Sequence, residues 1–135
     1  MKAVIQFYSH REIYPTNSIK DCINRWTTKL YSRRYAHCSI IVGEYLFEYS
    51  KTGYKMLKAD SVTSKPLKEV EVTLKNFSEL ERWENPKPIN PFLGGLRLWA
   101  SMHSGRFTNC SRAVGRTIGI TRARTPDQLA KELGI

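Results

Sequence analysis

The chain has 135 residues, of which 41% are hydrophobic and 25% charged, a composition typical of one globular domain and unlike that of disordered or low-complexity segments. The net charge of +10 favours polyanionic partners such as nucleic acid, anionic lipid or an acidic cell-wall polymer. No apolar run reaches the roughly 18 residues of a membrane span, and the N-terminus lacks a signal-peptide pattern. We therefore expect a protein that stays in the cytoplasm of the producing cell or joins a virion.

The first predicted elements are a strand and an amphipathic helix. Residues 3–8 form an apolar run typical of a buried strand. A helix is predicted to begin after Asn17 or Ser18, either of which suits the N-cap position. Its apolar residues recur at helical spacing and predict one core-facing stripe. The stripe comprises Ile19, Cys22, Ile23, Trp26 and Leu30.

Three strands are predicted next. Residues 37–42 and 45–49 flank Gly43-Glu44, a pair that fits a two-residue type II′ turn with glycine first. Residues 69–75 alternate strictly between apolar and polar side chains, which indicates a half-buried strand.

The C-terminal part reads as a loop followed by helices. Residues 85–95 contain three prolines and two glycines and predict a loop. A short helix is predicted over 96–102, another from Asn109 or Cys110 to Ile118, and a last one capped by Thr125 with Pro126 at its first position. The element order predicts one α+β domain spanning residues 1–135, with a small antiparallel sheet packed against helices.

The hairpin places a histidine near a carboxylate. With the turn at Gly43-Glu44, Ser39 faces Glu48, and His37 lies on the same face as Ser39. His37 and Glu48 are then diagonal neighbours, and Glu48 could hold one ring nitrogen while the other acts as a base. The alternative is a surface histidine beside a surface glutamate.

Cys110 has the features of an activated thiol. It follows Thr108 and Asn109, which suit helix capping, and a first-turn cysteine experiences the positive end of the helix dipole. Arg106 and Arg112 are near in sequence and also favour a thiolate. The alternative is a buried structural cysteine, the role expected for Cys22 on the apolar stripe and for Cys38, whose side chain points away from the face of His37. The sequence contains no CxxC pair, so a zinc site of the usual kind is not expected. The odd number of cysteines suggests that the thiols are reduced.

Two segments carry a resemblance to a known family. RRYAHCSIIVGEYLFEYSKTGY and TNCSRAVGRTIGITRARTPDQL, in this order, resemble the circularly permuted papain-like hydrolases of the NlpC type, particularly small bacteriophage and bacterial versions. The resemblance implies Cys110 as nucleophile, His37 as base and Glu48 as the residue that orients it. It also implies a thiol peptidase or amidase that needs no cofactor or metal and acts on peptide, amide or ester substrates, with peptidoglycan peptides among the candidates.

The surroundings of the trio depart from the family pattern. Relatives usually have serine where Ala36 stands, an aromatic residue at Asn109 and often an acid at Arg112. These departures leave the substrate class open. They also leave open a catalytically silent, virion-associated structural protein or a nucleic-acid-binding protein that uses its basic surface.

The remaining candidates have weaker signals. Tyr35, two residues before His37, could line the pocket or donate a hydrogen bond to an oxyanion, although the backbone N–H of Cys110 is the better placed donor. His10 and His103 are expected to have no direct role. The tryptophans are expected in the core or the pocket wall, and they are Trp26, Trp83 and Trp99.

Overall fold

The computed structural model describes residues 2–50, 53–74 and 109–135 and has an α+β fold. Its strands are β1 (Lys2–Tyr8), β2 (His37–Val42), β3 (Tyr45–Ser50), β4 (Gly53–Lys58) and β5 (Lys68–Thr73). Its helices are α1 (His10–Ile13), α2 (Ile19–Tyr31), α3 (Cys110–Ile118) and α4 (Pro126–Glu132), with a 3₁₀ turn at Ala59–Ser61. The predicted helix at 96–102, the predicted loop at 85–95, Arg106, His103, Trp83 and Trp99 lie outside the described residues.

The five strands form one antiparallel sheet in the order β4-β3-β2-β1-β5. The predicted hairpin is confirmed, since Val42 pairs with Tyr45 and Gly43 has a φ of 62°. A positive φ at the first turn position is the conformation that the type II′ turn requires and glycine adopts readily. The short helix α1 and the strand β4 were not predicted.

Alternation divides the sheet into two chemically different faces. Ile5 on β1 pairs with Ile40 on β2, and Phe7 pairs with Cys38; all four are buried and belong to the hydrophobic core. Helices α3 and α4 cover this face. The core residues that these helices contribute are Ala113, Val114, Ile118, Leu129 and Ala130. The side chains that alternate with these, among them those of Ser39 and Glu48, point to the opposite face. His37 is the first residue of β2 and stands at the end of that strand, close to the first residue of α3.

The helix boundaries follow local capping chemistry. Asn109 caps α3 by accepting a hydrogen bond from the Arg112 N–H at 3.0 Å, and Gly119 ends the helix in the left-handed conformation. Thr125 caps α4 and Pro126 occupies its first turn, as predicted. Each of these signals is contained within a few residues of sequence, which is why both helices could be placed in advance.

The orientation predicted for α2 is wrong. Arg25 and Thr28 are the buried residues of this helix, while Trp26 is 66% exposed and Cys22 is also exposed. The expected core stripe therefore points outward. Arg25 explains this orientation because its guanidinium donates hydrogen bonds to the carbonyls of Tyr14 and Thr16.

Among the described residues, none of the helices combines the length and apolar character needed to cross a bilayer.

Candidate active site

The hairpin brings His37 and Glu48 together. The Nε2 atom of His37 lies 3.2 Å from Oε2 of Glu48, and the two side chains are only 14% and 25% exposed. His37 begins β2 and Glu48 lies within β3, so the diagonal relationship predicted from the turn is confirmed. Because Glu48 engages Nε2, the other ring nitrogen, Nδ1, is left to meet a third group.

Cys110 lies beside this pair. It is the first residue of α3, which packs against β2 and β3, and its side chain is partly buried. It lies close enough to the His37 ring for the two groups to alter each other's pKa. The first turn of the helix also offers backbone N–H groups that have no acceptor within the helix. A thiol, an imidazole and a carboxylate therefore converge at one end of the hairpin.

The neighbours of His37 favour its protonated form. Burial alone would lower the pKa of His37, but the charge and hydrogen bonding of Cys110, together with those of Glu48, raise this pKa to about 10. The pKa of Glu48 is lowered, first by the hydrogen bond from His37 and then by the charge of His37. With this pKa the imidazole is protonated at neutral pH, where it can pair with Glu48 and with a thiolate at Cys110.

The Cys110 thiol is correspondingly acidic. Its pKa is lowered well below the ordinary range, first by a hydrogen bond from the Cys38 side chain, then, against the opposing effect of burial, by the positive charge and hydrogen bond of His37. Burial and the neighbouring Cys110 raise the pKa of Cys38, so Cys38 is the member of this pair that keeps its proton. The arrangement can hold a thiolate–imidazolium pair, the reactive state of cysteine nucleophiles.

A polar network continues from the site across the same sheet face. The ring of Tyr8 lies 5.8 Å from the ring of His37, centroid to centroid. Its hydroxyl donates to Oε1 of Gln6 at 2.6 Å and lies 3.3 Å from the Ser39 hydroxyl. Tyr8, Gln6 and Ser39 are buried, so these bonds satisfy polar groups that would otherwise be costly to bury and support the ring of His37 from one side.

Tyr35 and His10 have other surroundings. Tyr35 is 2% exposed, packs 5.0 Å from the ring of Phe7 and accepts a hydrogen bond from Arg34 at 3.0 Å. These contacts belong to the core, and the role of Tyr35 as an oxyanion donor remains a prediction. His10 is buried beside β1, with Nε2 3.2 Å from the carbonyl oxygen of Arg33.

Cys38 has one role that the sequence predicted and one that was missed. It is buried in the core, as expected of a structural cysteine, and it also lowers the pKa of Cys110, an effect that depends on which sheet face α3 covers. The expected effect of Arg112 on the thiol stays a prediction, because the largest influences on the pKa of Cys110 come from Cys38, burial and His37. Burial, followed by the charges of Arg124 and Arg116, lowers the pKa of Arg112 itself.

Comparison with known proteins adds no identification, since no family model, curated protein or solved structure matches this chain significantly.

Proposed function

We propose that the protein is a thiol hydrolase of the circularly permuted papain-like class, in which residues 1–135 form one catalytic domain. The observation that carries this proposal is the convergence of Cys110, His37 and Glu48, with the pKa of the thiol lowered and that of the imidazole raised to about 10. Paired shifts of this kind, at a helix start, are what nucleophilic catalysis by cysteine requires.

The mechanism follows from the protonation states. The Cys110 thiolate attacks the carbonyl carbon of an amide or ester, forming a carbon–sulfur bond and an oxyanion. His37 gives its proton to the leaving nitrogen or oxygen as that bond breaks, which leaves a thioester on Cys110. Neutral His37 then takes a proton from water, the hydroxide displaces sulfur, and the acid product departs as the thiolate–imidazolium pair re-forms.

The start of α3 supports the oxyanion. The N–H groups of Cys110 and Ser111 belong to the first helical turn, where the backbone supplies donors without intrahelical acceptors. The N–H of Arg112 is already bonded to the Asn109 side chain at 3.0 Å. An oxyanion formed on the carbon attacked by Cys110 would lie beside the two preceding donors, with the helix dipole adding further stabilisation.

The proposed substrates are peptides or related amides and esters, with the peptides of peptidoglycan as the first candidate. The net charge of +10 complements an anionic cell wall. The sequence resemblance to NlpC-type hydrolases points to the same class. A cytoplasmic or virion-associated protein would meet these substrates during lysis or at infection.

The test is to capture the acyl-enzyme. The protein is mixed with p-nitrophenyl acetate, and the burst of nitrophenol is compared with the intact mass after acid quenching. We expect one acetyl group on Cys110, and release of peptide fragments from purified sacculi by the same protein. Cys110→Ala should abolish both signals, whereas the matched variant Cys22→Ala should retain them. Hydrolysis that survives Cys110→Ala would overturn the proposal.

A second candidate, polyanion binding without catalysis, is favoured by one surface feature. A shallow pocket of about 410 Å³ is lined by residues of α4 and the segment before it. Its lining includes Arg122, Arg124 and Lys131, with Ala123, Gln128 and Glu132. Nucleic-acid binding that weakens steeply with salt and is lost in Arg122→Ala/Arg124→Ala, in a protein that forms no acyl-enzyme, would select this function.

A further inference from the structure

Helix α2 buries polar side chains and exposes its apolar ones. Its buried residues, Arg25 and Thr28, are polar and 8% exposed each. The outward stripe is apolar and consists of Ile19 (80% exposed), Ile23 (53%), Trp26 (66%) and Leu30 (65%). Isolated exposed apolar residues are ordinary, but four on one helical face form a contiguous patch that calls for a partner.

This orientation is held by specific bonds. The Arg25 guanidinium donates to the carbonyls of Tyr14 and Thr16, the latter at 2.6 Å, and contacts the Cys22 sulfur at 3.2 Å. Turning the stripe inward would break these bonds and move Arg25 to the solvent. The hydrogen bonds of Arg25 therefore hold α2 with its apolar stripe facing outward.

The surroundings of the stripe are positively charged. Lys20 and Lys29 are exposed and, at helical spacing, flank the stripe on its two sides, while Arg33 and Arg34 are exposed just beyond the helix end. Asp21, the acidic residue of the helix, accepts hydrogen bonds from the Thr16 N–H at 2.9 Å and from the Thr16 hydroxyl on the side away from the stripe.

We propose that this face of α2 is a binding surface for an anionic phospholipid bilayer, on which the helix lies in the plane of the interface. Helices that bind in this way combine an apolar face containing Trp and Leu with flanking basic residues. The aliphatic parts of Lys20 and Lys29 can extend along the bilayer while their ammonium groups reach the phosphates. This inference is independent of the hydrolase proposal, because it uses none of the residues of that site.

The test is co-sedimentation of the purified protein with sucrose-loaded vesicles of phosphatidylglycerol and phosphatidylcholine, compared with vesicles of phosphatidylcholine alone. We expect binding to the anionic vesicles. Ile23→Ser/Trp26→Ser should weaken it by at least about tenfold, because two apolar groups no longer enter the bilayer. Lys20→Ala/Lys29→Ala should weaken it by about 25-fold, since each lysine near an anionic surface contributes about fivefold. Brominated lipid should quench the fluorescence of Trp26, which is obtained as the difference between the emission of the unaltered protein and that of Trp26→Phe.

Matched controls lie elsewhere on the surface. Leu67 is 63% exposed, and Lys58 is an exposed residue at the end of β4, so Leu67→Ser and Lys58→Ala should bind as the unaltered protein does. All substitutions are at exposed positions, and circular dichroism verifies folding. Equal binding to neutral vesicles, or unchanged binding in the stripe variants, would overturn the proposal. A third outcome would also overturn it: the unaltered protein is a dimer that does not bind vesicles, and Ile23→Ser/Trp26→Ser is a monomer. That result would assign the face to self-association.

Discussion

Nε2 of His37 and Oε2 of Glu48, on neighbouring antiparallel strands, are 3.2 Å apart, and this contact determines how the imidazole can act. With Nε2 engaged by a carboxylate, the ring is oriented so that Nδ1 is the nitrogen available to Cys110. An oriented imidazole beside a first-turn thiol is the arrangement on which the proposed hydrolase function rests.

Cys110 should be the most reactive cysteine at low pH. Its lowered pKa gives a thiolate fraction at about pH 6 that an ordinary thiol with a pKa of about 8.5 lacks. Brief iodoacetamide labelling followed by mass spectrometry should find Cys110 modified first. Cys22 is exposed and serves as the control for a thiol that the reagent can reach, while buried Cys38 should react slowly.

His37→Ala should move the pH midpoint of this labelling upward, because the positive charge beside the sulfur is lost. Glu48→Gln should move it in the same direction but less, since the imidazole remains. A midpoint unchanged in His37→Ala would show that the helix start and Cys38 activate the thiol without the histidine.

Cys38 should control the acidity of Cys110. A hydrogen bond from its side chain is the largest influence lowering the pKa of Cys110, so Cys38→Ala should raise the labelling midpoint. Cys38→Ser retains a hydrogen-bond donor and should leave the midpoint closer to that of the unaltered protein. If both variants behave alike, the effect of Cys38 is due to packing and not to hydrogen bonding.

The contacts of His37 with Cys110 and Glu48 should stabilise the fold in a defined pH window. The pKa of His37 is raised from 6.5 to about 10, so its contribution is complete below about pH 6.5 and is lost as pH rises through about 10. The pKa of Glu48 is lowered, so its contribution is present above its unfolded value of about 4.3 and is lost as pH falls through the folded value.

A double-mutant cycle of His37→Gln and Glu48→Gln measures this coupling directly. The coupling free energy of unfolding should be about 1–3 kcal/mol at pH 5.5 and should shrink above pH 10. Urea unfolding at both values provides the measurement. A coupling energy as large at pH 10.5 as at pH 5.5 would mean that the neutral imidazole bonds Glu48 equally well.

Local chemistry explains which features were predictable from sequence. Gly43 specifies the turn, the turn specifies the register, and the register brings His37 beside Glu48. Asn109 caps α3 through its own side chain, which places Cys110 in the first turn. Each step uses residues close in sequence, so no knowledge of the packing was needed.

The errors concern tertiary contacts. Apolar periodicity in α2 identified the residues that share a face but not the direction of that face, which depends on the bonds of Arg25. Strand β4 gave no alternation signal, because its neighbouring residues Met56 and Leu57 are both apolar and both about 40% exposed. The Cys38–Cys110 contact required knowing which sheet face α3 covers.

Replacing Gly115 within α3 by alanine should destabilise the fold. A β-carbon there would clash with the carbonyl oxygen of Ile120, where the chain turns back on the helix and the Ile120 N–H donates to the Gly115 carbonyl at 2.7 Å. Alanine normally favours a helix by about 1 kcal/mol over glycine, but a backbone atom cannot yield as a flexible side chain can. Gly115→Ala should therefore lower the unfolding free energy by about 1–3 kcal/mol. Gly134→Ala is the matched control, because no atom lies within 4 Å of the added carbon and only the strain of a φ of 79° opposes it. Thermal unfolding by circular dichroism compares the two, and a Gly115→Ala protein as stable as the unaltered chain would contradict the close approach of Ile120 to α3.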